Sequence, residues 1–405
     1  MSVKSHRLIL IGLLTTALWA EGGPFEKTAE LKAADVLPAA LVSGTNSQVL
    51  DPVENDGYLN IYRLKSKFGE MRVVSTDKLN QRIHEFDAIA QMEKLKGTQE
   101  FAKGVENQAG KVVQGAANLV TDPVDTTKKV FSGIGRMFQN IGNTISGNQA
   151  PSDGNAVADL SGFGKVERSY AKQFAVDPYS RNSYLQDTLK DVSRAGFLGG
   201  TAASFGMGPV GNLSMVSTTD NALKDLIYTK SAQDVATYNS DTLKKMGVSD
   251  DLTDLFLRNQ NFTNTERTAI VMALSSMPNT QNRQNFIKFA VLTDNGDVAA
   301  FRRRQIEMYA AYDAKQAHIQ EFRFMDQFAA AILEDGSLLM MAPLDHLLWT
   351  QNIANYVASV NQHVASQATP PRKLLWFSGT ASSLALKNLA AAGWQVQQKA
   401  TDRLK

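Results

Sequence analysis

Cysteine is absent from this chain and histidine is scarce: the 405 residues include no Cys and five His. The first absence excludes disulfide bonds, thiol catalysis, Cys-ligated zinc and iron–sulfur clusters together. Beyond the N-terminus, His84, His318, His346 and His363 are too far apart along the chain to form a local zinc motif. The sequence therefore predicts no metal site from local spacing and no bound cofactor.

An excess of one charge is also lacking. The chain has 42 Lys and Arg against 40 Asp and Glu, and removal of residues 1–20 leaves 40 of each. A neutral chain lacks the basic excess that draws proteins to nucleic acid. The tightest basic cluster is an Arg-Arg-Arg run at 302–304, and consecutive helical residues point to different faces. We therefore predict no nucleic-acid partner, and a solvated helix flank at 302–304.

The N-terminus carries the pattern of an export signal. Lys4 and Arg7 precede an uncharged, largely apolar run from Leu8 to Leu18, and Ala20 offers a small residue before Glu21. The run is shorter than the roughly 20 apolar residues of a transmembrane helix. This pattern is typical of a secretory signal peptide cleaved near Ala20, and an uncleaved signal anchor is the alternative. We expect export to the periplasm or cell surface, without a lipoprotein anchor because no Cys follows.

A basic amphipathic segment at 127–145 is a candidate membrane contact. Its apolar residues recur at three- and four-residue spacing and its charges are basic, a pattern typical of helices at a membrane interface. The candidate contact residues are Phe131, Ile134, Met137, Phe138, Ile141, Lys128, Lys129 and Arg136. Packing of this stripe on its own domain is the alternative. The uncharged stretch 195–219 is long enough to cross a bilayer, but its glycines and Pro209 favour a buried loop.

Composition and hydrophobic period predict an α+β, predominantly α-helical chain. The expected architecture is an N-terminal strand pair with a helical hairpin, a central helical region, and a small C-terminal α/β unit of hairpin, helix and βαβ. The segments are a signal peptide at 1–20, a lead-in segment at 21–56, the strand pair and long helices at 57–145, a linker at 146–164, the helical region at 165–321 and the α/β unit at 322–405.

The C-terminal unit holds the predicted site. An Asp-Gly turn at 335–336 predicts a hairpin, Pro343 and Asp345 predict a helix start, and a strand ending at Phe377 runs into a Ser-Gly-Thr turn and a helix. Backbone N–H groups and hydroxyls that meet at a helix N-terminus favour an anion. The candidate anion-binding residues are Ser378, Gly379, Thr380, Ser382 and Ser383. An ordinary N-cap is the alternative.

The catalytic candidates are two residues near this turn. His346, beside Asp345, is the candidate base, and Ser378 is the candidate nucleophile, although a G-x-S-x-G elbow is absent. Since no catalytic motif is present, the sequence favours an exported envelope protein with a binding or structural role. Its expected partner is a membrane surface or another envelope protein. The alternative is an exported enzyme, such as a hydrolase, that binds an anionic group at 378–383.

Overall fold

The computed structural model describes residues 24–28, 30–96, 163–199, 220–325, 328–365 and 371–405. The fold is α+β, with about 54% helix and 20% strand, which confirms the predicted class. The predicted signal peptide, the amphipathic segment 127–145, nearly all of the linker and most of 195–219 lie outside the described residues. So does the second helix of the predicted hairpin.

The N-terminal sheet has four antiparallel strands where the sequence predicts a pair. Its elements are β1 (Glu30–Leu31), α1 (Ala33–Val36), α2 (Ala39–Val42), β2 (Ser47–Asn55), β3 (Asn60–Ser66) and β4 (Gly69–Val74), and the strands lie in chain order. The segment 21–56, expected to be an irregular lead-in, therefore contains two strands. Pro52 obscures the strand pattern there, because it lies where the β2–β3 register shifts between Leu50 and Glu54 and no ladder bond is required.

Three helices pack against this sheet. They are α3 (Thr76–Lys96), α4 (Phe163–Gln173) and α5 (Ser183–Gly199). Phe86 of α3 and Leu185 of α5 are fully buried with Tyr62 of β3 in one apolar cluster. Burial of each such side chain contributes about 1.5–3 kcal/mol, so the cluster fixes the helices on the sheet.

The central region is helical, as predicted. Its helices are α6 (Asp220–Thr229), α7 (Ala232–Lys245), α8 (Asp250–Leu257), α9 (Asn264–Ser275), α10 (Gln284–Val291) and α11 (Gly296–Lys315). The prediction of a solvated flank at 302–304 is wrong, because Arg302 and Arg304 on α11 are only 2% and 8% exposed. The reason is that α11 is enclosed on several sides, so residues that point to different faces are buried together.

The C-terminal sheet has five strands. Its strands are β5 (Ile319–Met325), β6 (Phe328–Leu333), β7 (Leu338–Ala342), β9 (Lys373–Phe377) and β11 (Trp394–Gln397), and a separate parallel pair is formed by β8 (His346–Leu347) and β10 (Thr380–Ala381). The order is β11-β9-β7-β6-β5, with the first three strands parallel and the last two antiparallel. The predicted Asp-Gly hairpin joins β6 to β7.

Helices lie on both faces of this sheet. On one face are α12 (Gln351–Ala365) and α13 (Ser383–Ala391), and the short α14 (Thr401–Leu404) ends the chain. Leu338 and Met340 of β7 belong to the apolar cluster of α12 and α13, whereas Leu339 and Met341 belong to that of α10 and α11. Strand alternation thus places successive side chains in two cores. The predicted parallel βαβ unit is β9, α13 and β11.

The helix start predicted at Pro343 and Asp345 is wrong. Residues 343–349 include the short strand β8, and α12 begins only at Gln351. The hydroxyl of Thr350 accepts a hydrogen bond from the Ile353 amide at 3.3 Å, as an N-cap does. The preceding segment is extended because its backbone is hydrogen-bonded to the N-terminal unit, from which it is separated by almost 300 residues.

Candidate functional site

The predicted turn 378–383 connects β9 to α13, and the hydroxyls of Ser378, Thr380 and Ser382 are bonded within the chain. The Ser378 hydroxyl donates to the Leu344 carbonyl at 2.7 Å. Ser382 is the N-cap of α13, whose first residue is Ser383: its hydroxyl accepts from the Ala385 amide at 3.0 Å and donates to Glu26 Oε2 at 2.6 Å. Ser382 therefore forms an ordinary N-cap, which is the alternative to an anion site.

Three backbone amides of the turn are also engaged. The amides of Ser378, Thr380 and Ser382 donate to the carbonyls of Ala342, Asp345 and Leu347 at 3.2, 3.1 and 2.9 Å. The Glu26 carboxylate, which bonds Ser382, also accepts from the Trp349 amide at 2.5 Å. A carboxylate of the chain thus occupies the surroundings predicted to attract an anion, and binding of an external anion there stays a prediction.

His346 lies in strand β8, not at a helix start. Its Nδ1 shares a hydrogen bond with the hydroxyl of Thr380 at 2.8 Å, and its amide faces the Tyr58 carbonyl at 3.3 Å. The fold therefore brings His346 next to Thr380, two residues along the chain from Ser378. Ser378, however, has its hydroxyl turned to the Leu344 carbonyl. Their catalytic roles remain predictions.

Asp345 joins the N-terminal sheet to this region. Its carboxylate accepts hydrogen bonds from the amide of Asn60 at 2.9 Å and from the amide of Thr76, the first residue of α3, at 3.1 and 3.2 Å. Burial raises the pKa of Asp345 to about 6, and these hydrogen bonds, which act in the opposite direction, do not cancel that effect. The carboxylate thus serves as a cap for α3 across the two units.

Replacement of Asp345 by asparagine is expected to change how stability depends on pH. Because the folded pKa exceeds the ordinary value of 3.8, the stabilisation from the protonated group is complete below about pH 4 and is lost as the pH rises through 6. A pKa difference of this size corresponds to about 3 kcal/mol. Urea unfolding from pH 4 to 7.5 should show this loss in the wild-type protein but not in Asp345→Asn. Parallel pH profiles would contradict the assignment.

A second candidate site, which the sequence did not indicate, lies where β6 and β7 cease to pair. The two strands are paired only at Ala331–Leu339 and Ile332–Leu338, next to their hairpin. Beyond that point, α11 bonds to the β7 backbone instead. The Tyr309 hydroxyl accepts from the Met341 amide at 3.1 Å, and the Gln305 amide nitrogen donates to the Met341 carbonyl at 2.7 Å.

A cavity of about 110 Å³, the β6–β7 cavity, accompanies this break in the sheet. Most of its lining is apolar and comes from both faces of the sheet: Phe289, Phe301, Phe328, Ala329, Met340, Met341, Ala342, Leu344, Leu347, Ile353, Val357, Val360, Leu375, Leu389 and Trp394. The polar or amphipathic lining residues are Tyr58, Arg302, Gln305 and Tyr356. Small ligands are bound in such surroundings, where few polar groups stand among apolar ones.

Three of these lining residues have a buried polar atom without a hydrogen-bond partner. The atoms are Tyr58 Oη, Arg302 Nε and Gln305 Oε1. Such atoms are rare in folded proteins, because each loses its hydration without a replacement. Burial, reinforced by the charge of Asp56, raises the pKa of Tyr58 well above its ordinary value, so the hydroxyl is a donor at neutral pH. The residues that line the cavity therefore carry two unused donors and one unused acceptor.

The residues of the β6–β7 cavity share no local motif. Tyr58 comes from the loop between β2 and β3, and Phe289 comes from α10. Phe301, Arg302 and Gln305 come from α11, and the remaining wall comes from the C-terminal unit. Arg302 and Gln305 are close in sequence, but a pair of polar residues on a helix is commonplace on solvated faces. Only the enclosure of α11 makes them part of a site.

No protein-family model, curated protein or solved structure matches this chain. Within the described ranges, no group of three His, Asp or Glu side chains is arranged to hold a metal ion. No described helix is both long enough and apolar enough to span a bilayer.

Proposed function

We propose that this chain is a binding protein and that the β6–β7 cavity takes a small amphipathic molecule. The observation that carries the proposal is the set of unpartnered polar atoms, Tyr58 Oη, Arg302 Nε and Gln305 Oε1, on residues that line a largely apolar cavity. A molecule with an acceptor group and a compact apolar body would satisfy the two donors, and an additional donor group on the same molecule would satisfy Gln305.

The volume of the cavity limits the size of that molecule. An apolar cavity of about 150 Å³ accommodates a benzene molecule, and the β6–β7 cavity has about 110 Å³. The ligand is therefore limited to about six non-hydrogen atoms, the size of benzene or of a branched four-carbon acid or amide. A nucleotide, a sugar chain or a lipid is too large.

Export and membrane contact remain parts of the proposal that rest on sequence alone. The signal pattern at 1–20 supports a binding role in the cell envelope. The stripe at 127–145 supports a peripheral membrane contact. The alternative, an enzyme that binds an anion at 378–383, has less support because the donors of Ser378, Thr380 and Ser382 are engaged within the chain.

Filling the cavity provides the test. Leucine in place of Ala329, which lines the cavity, should change the free energy of unfolding by less than about 1 kcal/mol, because the added carbons enter empty space. The matched control is Ala331→Leu on the same strand, which is fully buried and does not line the cavity; it should cost about 1–3 kcal/mol by overpacking. Urea unfolding of the three proteins gives both values.

The same variants test binding. Isobutyramide serves as a neutral probe, and at ten times its Kd it should stabilise the wild-type protein by about 1.4 kcal/mol. Ala329→Leu should abolish this stabilisation, while any Ala331→Leu protein that folds should retain it. Equal destabilisation by both substitutions, or binding that survives Ala329→Leu, would show that the ligand does not occupy this cavity.

A further inference from the structure

Arg302 is the most deeply buried of the three adjacent arginines. Its side chain is fully enclosed, with the residue 2% exposed, and its Nη1 donates to the Phe289 carbonyl. The guanidinium lies 4.0 Å from the centre of the Phe289 ring, so an aromatic face covers it. Phe289 and Arg302 both line the β6–β7 cavity.

A carboxylate partner for Arg302 is missing among the described residues. Arg303 and Arg304 pair with Glu307 at 2.9 and 3.4 Å, and Arg303 also reaches Asp77 at 3.4 Å. No described acid lies within ion-pair distance of Arg302. The described acid whose charge raises the pKa of Arg302 is Asp294, which is more distant. Burial lowers the pKa of Arg302 to about 9, so the group is still charged at neutral pH. A buried charge without a counter-charge is unfavourable.

The free atom of the guanidinium has a definite chemical preference. With Nη1 bonded to the Phe289 carbonyl, Nε belongs to the other edge of the planar group and has no partner. The edges of a guanidinium match the two oxygens of a carboxylate. Phosphate or sulfate would bring more charge into a largely apolar cavity that supplies few unused donors.

We infer that the ligand of the β6–β7 cavity is a small monocarboxylate with a compact apolar body, held through its carboxylate by Arg302. The inference rests on the proposed function, since it specifies the ligand of the same cavity. The ligand would supply the negative charge that the described residues do not place next to Arg302, and its apolar part would contact Ala329, Met340 and their neighbours.

The experiment compares isobutyrate with isobutyramide, which has the same shape and size but no charge. Calorimetric or ligand-observed NMR titration of the full-length protein at neutral pH should give an affinity for isobutyrate at least about tenfold higher. In Arg302→Gln the ratio should fall to about one. Arg258→Gln, an exposed arginine paired with Asp254 at 2.6 Å, is the matched control and should leave the ratio unchanged.

The outcomes separate the inference from the proposed function. Failure of both compounds to bind the wild-type protein would overturn the proposed function, and equal affinities would overturn only the inference. A preference for isobutyrate that survives Arg302→Gln would remove Arg302 from the site. If the Arg302→Gln variant does not fold, the titrations are carried out instead on the wild-type protein at decreasing pH. Isobutyrate binding, but not isobutyramide binding, must then weaken as the ligand becomes protonated.

Discussion

Alanine in place of Glu85 is expected to lower the free energy of unfolding by about 3–5 kcal/mol, because it leaves a buried charge alone. Glu85 is 1% exposed on α3, and its carboxylate accepts from Arg82 at 2.5 Å, Ser180 at 2.7 Å and Asn182 at 2.9 Å. Arg82, itself only 8% exposed, would keep its charge without this partner. Urea unfolding at neutral pH measures the loss.

The titration of Glu85 determines the direction in which this stabilisation changes with pH. Burial by itself would raise its pKa, but Arg82 and the hydrogen bonds from Ser180 and Asn182 outweigh burial and hold the pKa below the ordinary value of 4.5. The stabilisation is therefore present above pH 4.5 and is lost as the pH falls through the lower, folded-state pKa. Glu85→Ala should accordingly be less sensitive to acid than the wild-type protein.

A glutamate on the same helix provides the control. Glu93 is exposed and pairs with Lys96 at 2.9 Å, so Glu93→Ala should cost no more than about 1 kcal/mol. Equal losses from the two substitutions would show that the Glu85 cluster does not join α3 to residues 180–182. A double replacement of Arg82 and Glu85 by leucine should recover much of the loss, because no unpartnered charge remains.

The parts of the fold that were predictable have local determinants. The hairpin at 335–336 follows from an Asp-Gly turn, in which Gly336 adopts a φ of +78°. The parallel βαβ unit follows from a buried strand, the cap residue Ser382 and a helix that ends before Gly393. Each depends on residues that are neighbours in the sequence, so the pattern of residue types was sufficient.

The failed predictions depend on contacts between distant segments. Pro343 and Asp345 resemble a helix start, yet the amides of Asp345 and Leu348 donate to the carbonyls of Tyr58 and Gly57 at 2.9 and 2.7 Å. Those bonds hold the segment extended. No local pattern announces a partner almost 300 residues away.

The β6–β7 cavity was unpredictable for a related reason. Three adjacent arginines point to different faces of α11, which normally implies that water reaches most of them. Here the sheets and helices around α11 leave Arg302 only 2% exposed. The cavity itself arises because Tyr309 and Gln305 bond to Met341 where β6 does not. A break in strand pairing leaves no signature in the composition of either strand.

Alanine in place of Gly379 is expected to cost about 3 kcal/mol or more, because the new side chain has no room. A Cβ atom at this position would lie 1.9 Å from the Asp345 carbonyl oxygen and 2.5 Å from that of Leu344. Both obstacles are backbone atoms, so a change of rotamer cannot relieve the clash. The turn cannot simply withdraw either, since the Thr380 amide donates to the same Asp345 carbonyl at 3.1 Å.

The consequences of Gly379→Ala should extend beyond the turn. Displacement of Asp345 withdraws its carboxylate from the Asn60 and Thr76 amides at the start of α3. Displacement of Leu344 moves a wall of the β6–β7 cavity. Urea unfolding should therefore show the loss, and hydrogen exchange of the Thr76 amide should accelerate with it.

Gly44→Ala is the control, because its Cβ would meet only ordinary contacts at 3.8 Å or more, and it should stay within about 0.5 kcal/mol of the wild-type protein. Equal stability of the two alanine variants would contradict the close approach of residues 344–345 to the turn.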